Sequence, residues 1–309
     1  MAIYEHTRHF AGTSIANWEP ETAVPDPIGK PFRIGVSYDD DEGAWFDLFD
    51  AFLSGPEAAE TTALIVGMWD QGDGGDSEAV VEAIVAARDR LPSLRAIFLG
   101  DIVSEEQEIS WIEQSDVSPL FAAFPDLEHL CVRGGNGLSL GALRHAKLRS
   151  LVIQSGGLSR NVVAEVAAAE LPALEHLELW LGDENYGGNT TAADLAPILA
   201  GDLFPRLSYL GLRDCKVADE IAAAVAAAPV LEKIRILDLS LGNLTDIGAA
   251  ALLASPAVAR LEFLDLHHHF LSGEMQAKVK ALGIKVDLSD VQKEDRYGDE
   301  VYRYVAVSE

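Results

Sequence analysis

Residues 207–217 read LSYLGLRDCKV. Leu207, Leu210 and Leu212 set a strand-length apolar pattern, Cys215 follows three residues on, and Val217 closes it two residues later. The pattern recurs along the chain. It appears as Leu94-xx-Ile97-x-Leu99, Leu127-xx-Leu130-x-Val132, Leu148-xx-Leu151-x-Ile153 and Leu174-xx-Leu177-x-Leu179. Further on come Ile234-xx-Leu237-x-Leu239 and Leu261-xx-Leu264-x-Leu266. The second apolar positions, from Ile97 to Leu264, are separated by 33, 21, 26, 33, 27 and 27 residues. A unit of roughly 20–29 residues repeated in this way cannot bury its apolar face alone and must stack on its neighbours. The position three beyond the last strand residue holds Gly156, Gly182, Cys215, Gly242 or His269, which fits a tight turn.

Between the strands the spacing becomes helical. Ser77 precedes Val80, Val81 and Ile84; Val162, Val163 and Val166 lie on another helix; Thr191 precedes Leu195, Ile198 and Leu199. Ile221 and Val225 lie in an alanine-rich helix, Leu252 and Leu253 in one starting near Thr245, and Met275 and Val279 in one after Ser272. Strand, turn, helix and return, repeated, predict an α/β solenoid. On these residues the chain resembles the leucine-rich-repeat superfamily, in its ribonuclease-inhibitor-like type with one strand and one helix per unit. Residues 100–120, 177–188 and 237–271 further resemble a group of uncharacterised bacterial leucine-rich-repeat proteins. The resemblance implies a curved horseshoe with a parallel sheet on the concave face and helices on the convex face. It brings no catalytic residues. It implies a cytoplasmic protein, with an accessory role beside radical-SAM-like or ATP-grasp-like enzymes as a second reading of function.

The ends read as caps. Residues 1–60 make an N-terminal arm and cap, 61–288 the solenoid and 289–309 a C-terminal tail. Pro20, Pro25, Pro27 and Pro31 mark an extended arm, residues 33–38 a strand, and residues 39–42 a charged turn. Trp45, Phe49 and Phe52 share a helical face. Residues 301–307, VYRYVAV, are expected to add a strand over the last edge, which would block edge-to-edge pairing.

The chain has 309 residues, with 23 Lys plus Arg against 50 Asp plus Glu, a formal charge of −27. Such a surface repels nucleic-acid phosphates and anionic membranes, and favours a basic or mixed-charge protein or peptide partner. Two cysteines, Cys131 and Cys215, are too few for a disulfide framework. The first residues carry no apolar signal core, and no apolar run is long enough to span a bilayer. A soluble, cytoplasmic monomer is expected.

Alternation along each strand sorts side chains into core and concave sets. The concave set includes Phe98, His129, Arg133, His176, Glu178, Trp180, Tyr209, Arg213, Asp238, Phe263, Asp265 and His267. Aromatic residues and arginine dominate interface hot spots. Glu178, Asp238 and Asp265 form an acidic strip suited to a basic side chain. These residues are therefore the candidate protein-binding face. The competing reading is that a segment of the same chain covers some of the aromatic residues. Residues 104–120 form a second candidate surface, read as a helix capped by Ser104 and a second helix starting at Ser118-Pro119.

Other chemistry is thin. Walker-A, GxGxxG, HExxH and GxSxG motifs are absent, so no catalytic group and no cofactor are expected. His176, Glu178 and Tyr209 are the nearest thing to a catalytic cluster. His267, His268 and His269 cannot jointly face one ion, because neighbours on a strand point to opposite sides. Asp238, Asp265 and His267 could hold a metal between adjacent strands. That is a third reading, as a metal-dependent enzyme, beside an expectation of no metal. Asp183, Asn185, Gly188 and Asp194 imitate a calcium loop, but Gly187 stands at a ligand position and the bidentate glutamate is missing.

Overall fold

The computed structural model describes residues 3–20, 29–37, 39–41, 43–70, 75–298 and 300–308. Pro25, Pro27, Tyr38, Glu42 and residues 72–74 of the glycine cluster lie outside the described residues. Ten strands repeat along the chain: β4 (Pro31–Ile34), β5 (Ala63–Val66), β6 (Ala96–Leu99), β7 (His129–Arg133) and β8 (Ser150–Gln154), then β9 (His176–Gly182), β10 (Tyr209–Cys215), β11 (Ile236–Asp238), β12 (Phe263–Asp265) and β13 (Lys285–Asp287). Before them come β1 (His9–Phe10), β2 (Thr13–Ser14) and β3 (Ala16–Asn17); after them come β14 (Asp295–Tyr297) and β15 (Glu300–Tyr302). The helices are α1 (Ala44–Ser54), α2 (Glu57–Glu60), α3 (Glu78–Ala86), α4 (Ser118–Ala123), α5 (Arg160–Ala167), α6 (Ala196–Leu199), α7 (Ala218–Ala226), α8 (Asp246–Ala254) and α9 (Gly273–Lys280).

Strands β3 to β13 form one eleven-stranded sheet in strict chain order, every pair parallel. The register pairs the repeat leucines with one another: Leu130, Leu151, Leu177, Leu210, Leu237 and Leu264 lie side by side. All six are fully buried. Each burial contributes about 1.5–3 kcal/mol, and the row joins every unit to the next. Thr245 and Ser272 cap α8 and α9 by accepting from Ile247 N and Met275 N, and Ser159 caps α5 through Asn161 N. Trp45, Phe49 and Phe52 of α1 are buried in the core that β4 shares.

Two expectations need correcting. The first concerns residues 104–108, which form a short turn at 104–106 and no helix; a single 3-10 turn follows at Ile109–Trp111. The cause is that Glu106 accepts from Val103 N and pairs with His6 at 3.2 Å, while Glu113 and Asp116 bridge to Asn136 and Ser139 in extended backbone. The second concerns the C-terminal residues, which add no strand to the β13 edge. Glu300–Tyr302 pairs only with Asp295–Tyr297, and the chain then runs back across the strand ends.

That return has a repeating foothold. Asp214, Leu241, His268 and Asp290 each stand two residues beyond the last apolar strand residue, and each has positive φ, between 53° and 67°. His268 Nε2 lies 3.2 Å from Tyr304 O, Ala306 N donates to Leu241 O at 2.7 Å, and Val307 N donates to Asp214 Oδ1 at 2.8 Å. The tail thus descends one unit every two residues or fewer, and Val305, Ala306 and Val307 are buried.

Candidate functional site

The N-terminal arm decides which part of the concave face is open. Asp101 anchors it: Thr7 donates to Oδ1 from its backbone N at 3.2 Å and its hydroxyl at 3.0 Å. Arg33 and Arg133 pair with the same carboxylate, which is fully buried. Phe10 and Ile15 then pack on Ile65, Phe98, Cys131 and Ala96, a small apolar cluster on the concave side of β5 to β7. Phe98 is 1 % exposed, with Phe10 at 5.7 Å between ring centroids. Arg133 is 3 % exposed; it donates to Ile102 O at 2.7 Å and Gln154 Oε1 at 2.8 Å. Phe98 is therefore covered by Phe10 of the arm, and Arg133 is buried against Asp101, Ile102 and Gln154, so neither is open to a partner.

Beyond the arm, six of the expected residues come together on β9 to β11. Register places Gly211 between Glu178 and Asp238, and Trp180 beside Arg213. The missing side chain at Gly211 leaves the gap that Tyr209 and Glu178 fill; a Cβ there would meet both at about 3 Å. Arg213 Nη1 donates to Glu178 Oε1 at 2.9 Å, and its Nε donates to Ser240 Oγ at 2.9 Å and lies 3.3 Å from Asp238 Oδ2. Its guanidinium sits 5.1 Å over the Trp180 ring. Trp180 Nε1 donates to Glu178 Oε1 at 2.7 Å, and the Tyr209 hydroxyl donates to Asp238 Oδ2 at 2.6 Å, with Glu178 Oε2 3.2 Å away. His176 stacks on Tyr209 at 3.8 Å, nearly parallel.

Burial by itself would raise the Glu178 carboxyl, but His176, Arg213 and Trp180 together bring it down to about 2. Burial and the two carboxylates push the Tyr209 phenol far up. Burial works against the Arg213 charge, and Glu178 and Asp238 more than restore it. These shifts keep Glu178 and Arg213 ionised and the Tyr209 phenol protonated at neutral pH. Glu178, Trp180 and Asp238 are themselves buried, so their role here is to hold His176, Tyr209 and Arg213 at the surface.

His129 stands alone on β7, half-buried, and burial holds its imidazole below the ordinary value. Phe263 is half-buried with the Lys285 ammonium 4.6 Å over its ring. Asp265 and His267 do not join Asp238, which is held by Tyr209, Arg213 and Ser240 N. Their third neighbour is Asp287 on β13. Sequence reasoning missed both Asp287 and Lys285, which lie on the last strand of the solenoid. Carrying the concave columns one strand further would have found them.

His268 is tied to Asp290 and Tyr304, and His269, fully buried, bonds Leu288 O and Leu271 N. The calcium-like loop turns inward: Asp183 accepts from Asn185 and pairs with Lys216, and Asp194 caps Thr191. That loop and the next unit border an open pocket of about 570 Å³, lined by Arg160, Leu181, Thr190, Lys216 and Val217.

No protein-family model and no curated protein matches the chain. Among solved structures, a protein from Bacteroides fragilis superposes with a TM-score of 0.80 and 33% identity, over 89% of this chain and 76% of that one. An internalin from Listeria monocytogenes reaches a TM-score of 0.36 and 15% identity, over 76% and 70% of the two chains, a likeness that carries no argument. With its in-register ladder of leucines and its one-strand units, the chain is a leucine-rich-repeat solenoid and belongs to the same family as the Bacteroides fragilis protein.

Proposed function

We propose that the chain is a non-catalytic scaffold that takes a protein or peptide on the concave face, between the N-terminal arm and β13. The observation that carries this is the network around Glu178. Aromatic and charged side chains on three adjacent strands lock one another into fixed positions while His176, Tyr209 and Arg213 keep part of their surface open. Rigid aromatic and arginine side chains lose little freedom on binding, which is what anchors need. The acidic balance supports a partner with basic groups and an association weakened by salt. Two buried thiols and no helix among the described residues long and apolar enough to cross a membrane are consistent with a cytoplasmic setting.

The test is capture from a lysate of the native host with three baits: the native chain, a concave variant, and a convex control. Trp180 and Arg213 are unsuitable for substitution, since they hold the network together. His129→Glu with Phe263→Ser alters the open face, and Ile247→Glu, at a site 75% exposed on α8, serves as control. A partner kept by the native chain and the control but lost from the concave variant supports the reading. Equal capture by all three overturns it.

A further inference from the structure

We propose that Asp265, His267 and Asp287 form a binding site for one divalent transition-metal ion of the zinc class. Strands β12 and β13 pair Asp265 with Asp287, so the two carboxylates project from the same face of adjacent strands. His267 stands two residues beyond Asp265 and shares that face. One ligand atom from each residue lies within 4.8 Å of the other two, and His267 Nδ1 is 2.7 Å from Asp265 Oδ1. All three are half-buried, which leaves them open to an ion from solvent.

Charge separates this trio from the rest of the concave face. Glu178 and Asp238 share Arg213. Asp265 and Asp287 have no Lys or Arg within ion-pair distance among the described residues; the one cationic candidate beside them is His267. Lys285, on the same strand as Asp287, lies over the Phe263 ring instead. Oδ1 of Asp265 accepts from His267 N and Oδ1 of Asp287 from Ser289 N, and the Ser289 side chain adds a bond to the Asp287 carboxyl, so neutral or backbone donors and His267 are what hold the pair. Two carboxylates and a neutral imidazole carry two negative charges, which a divalent ion balances.

The donor set names the class of ion. Two oxygens and one imidazole nitrogen suit zinc, cobalt or nickel, with bonds of about 2.0–2.2 Å. Magnesium and calcium favour oxygen-only sets. Donors 4.8 Å apart or closer reach such an ion by small side-chain rotations. The ion displaces the proton between His267 and Asp265, and water fills the remaining positions. The site does not depend on the partner proposed above, because the titration contains no partner.

The full chain is titrated with zinc by calorimetry, and with cobalt by its visible absorption. His267→Gln, Asp265→Asn and Asp287→Asn are titrated alongside, with Glu82→Gln as a control for the acidic surface, and far-UV circular dichroism verifies each fold. The expected result is one saturable equivalent, weakened at least about 10-fold by each substitution in the trio and unchanged in the control. Cobalt absorption should show nitrogen–oxygen ligation that His267→Gln abolishes. Should one variant fail to fold, the other two still decide. No saturable zinc binding overturns the site, as does binding that His267→Gln and Asp287→Asn leave intact, or magnesium and calcium binding as tightly as zinc.

Discussion

Replacing Arg213 with Met should cost the fold about 3–5 kcal/mol near pH 7. The substitution keeps most of the aliphatic contact with Trp180 but removes the cation that Glu178 and Asp238 share. Those carboxylates are 7% and 5% exposed, and an uncompensated buried charge carries a cost of this size. The pH dependence then identifies the cause. In the native chain the Glu178 carboxyl sits at about 2, below its ordinary 4.5. A depressed value in the folded state means stabilisation, about 3 kcal/mol here, that is complete above about pH 4.5 and lost as pH falls toward 2. Without Arg213, burial is the larger influence on Glu178 and raises its folded-state value. The variant then gains stability on acidification, because the folded carboxyl takes up a proton. Urea unfolding followed by circular dichroism at about pH 7 and pH 5 should therefore show the gap between variant and native chain narrowing in acid. Arg235→Met, which removes an exposed pair with Glu262, should show no measurable loss. A loss under about 1 kcal/mol for Arg213→Met, or a gap that widens in acid, would refute the reasoning.

Two further outcomes follow from burial and backbone geometry. Cys131 and Cys215 are both buried, and burial pushes the first thiol well up and the second to about 12, so neither should react with a disulfide reagent at about pH 8 until the chain unfolds; prompt labelling of either in the native chain would contradict the packing. Gly182 has φ of +70°, and an added Cβ would strike the Gly156 carbonyl oxygen, whereas Gly283 has φ of +77° with nothing within 4 Å. Urea unfolding should show Gly182→Ala costing at least about 2 kcal/mol and Gly283→Ala about 1 kcal/mol, the difference measuring the clash apart from the backbone conformation.

The repeat was legible because a strand's alternation and a solenoid's period are both local. Leu210 and Leu237 announce their burial by position alone, and the register of β9 to β12 follows from aligning them. Alternation also assigned the side on which Phe98 and Arg133 project. What it could not assign is what lies above them. That depends on Thr7 reaching Asp101, 94 residues away, and on Phe10 following it over β6. The arm's strands are two residues each, too short to carry any period, so no pattern in residues 3–20 predicts where they dock. The tail is similar: residues 301–307 alternate as a strand would, yet their partners are the left-handed turn residues Asp214, Leu241 and His268, spread over three units. In each case the missed contact joins a segment without periodicity to a position fixed by the repeat. The repeat therefore determines the surface on offer, and the two arms determine how much of it stays open: the stretch from His129 to Asp287, where the network around Glu178 and the trio around His267 lie.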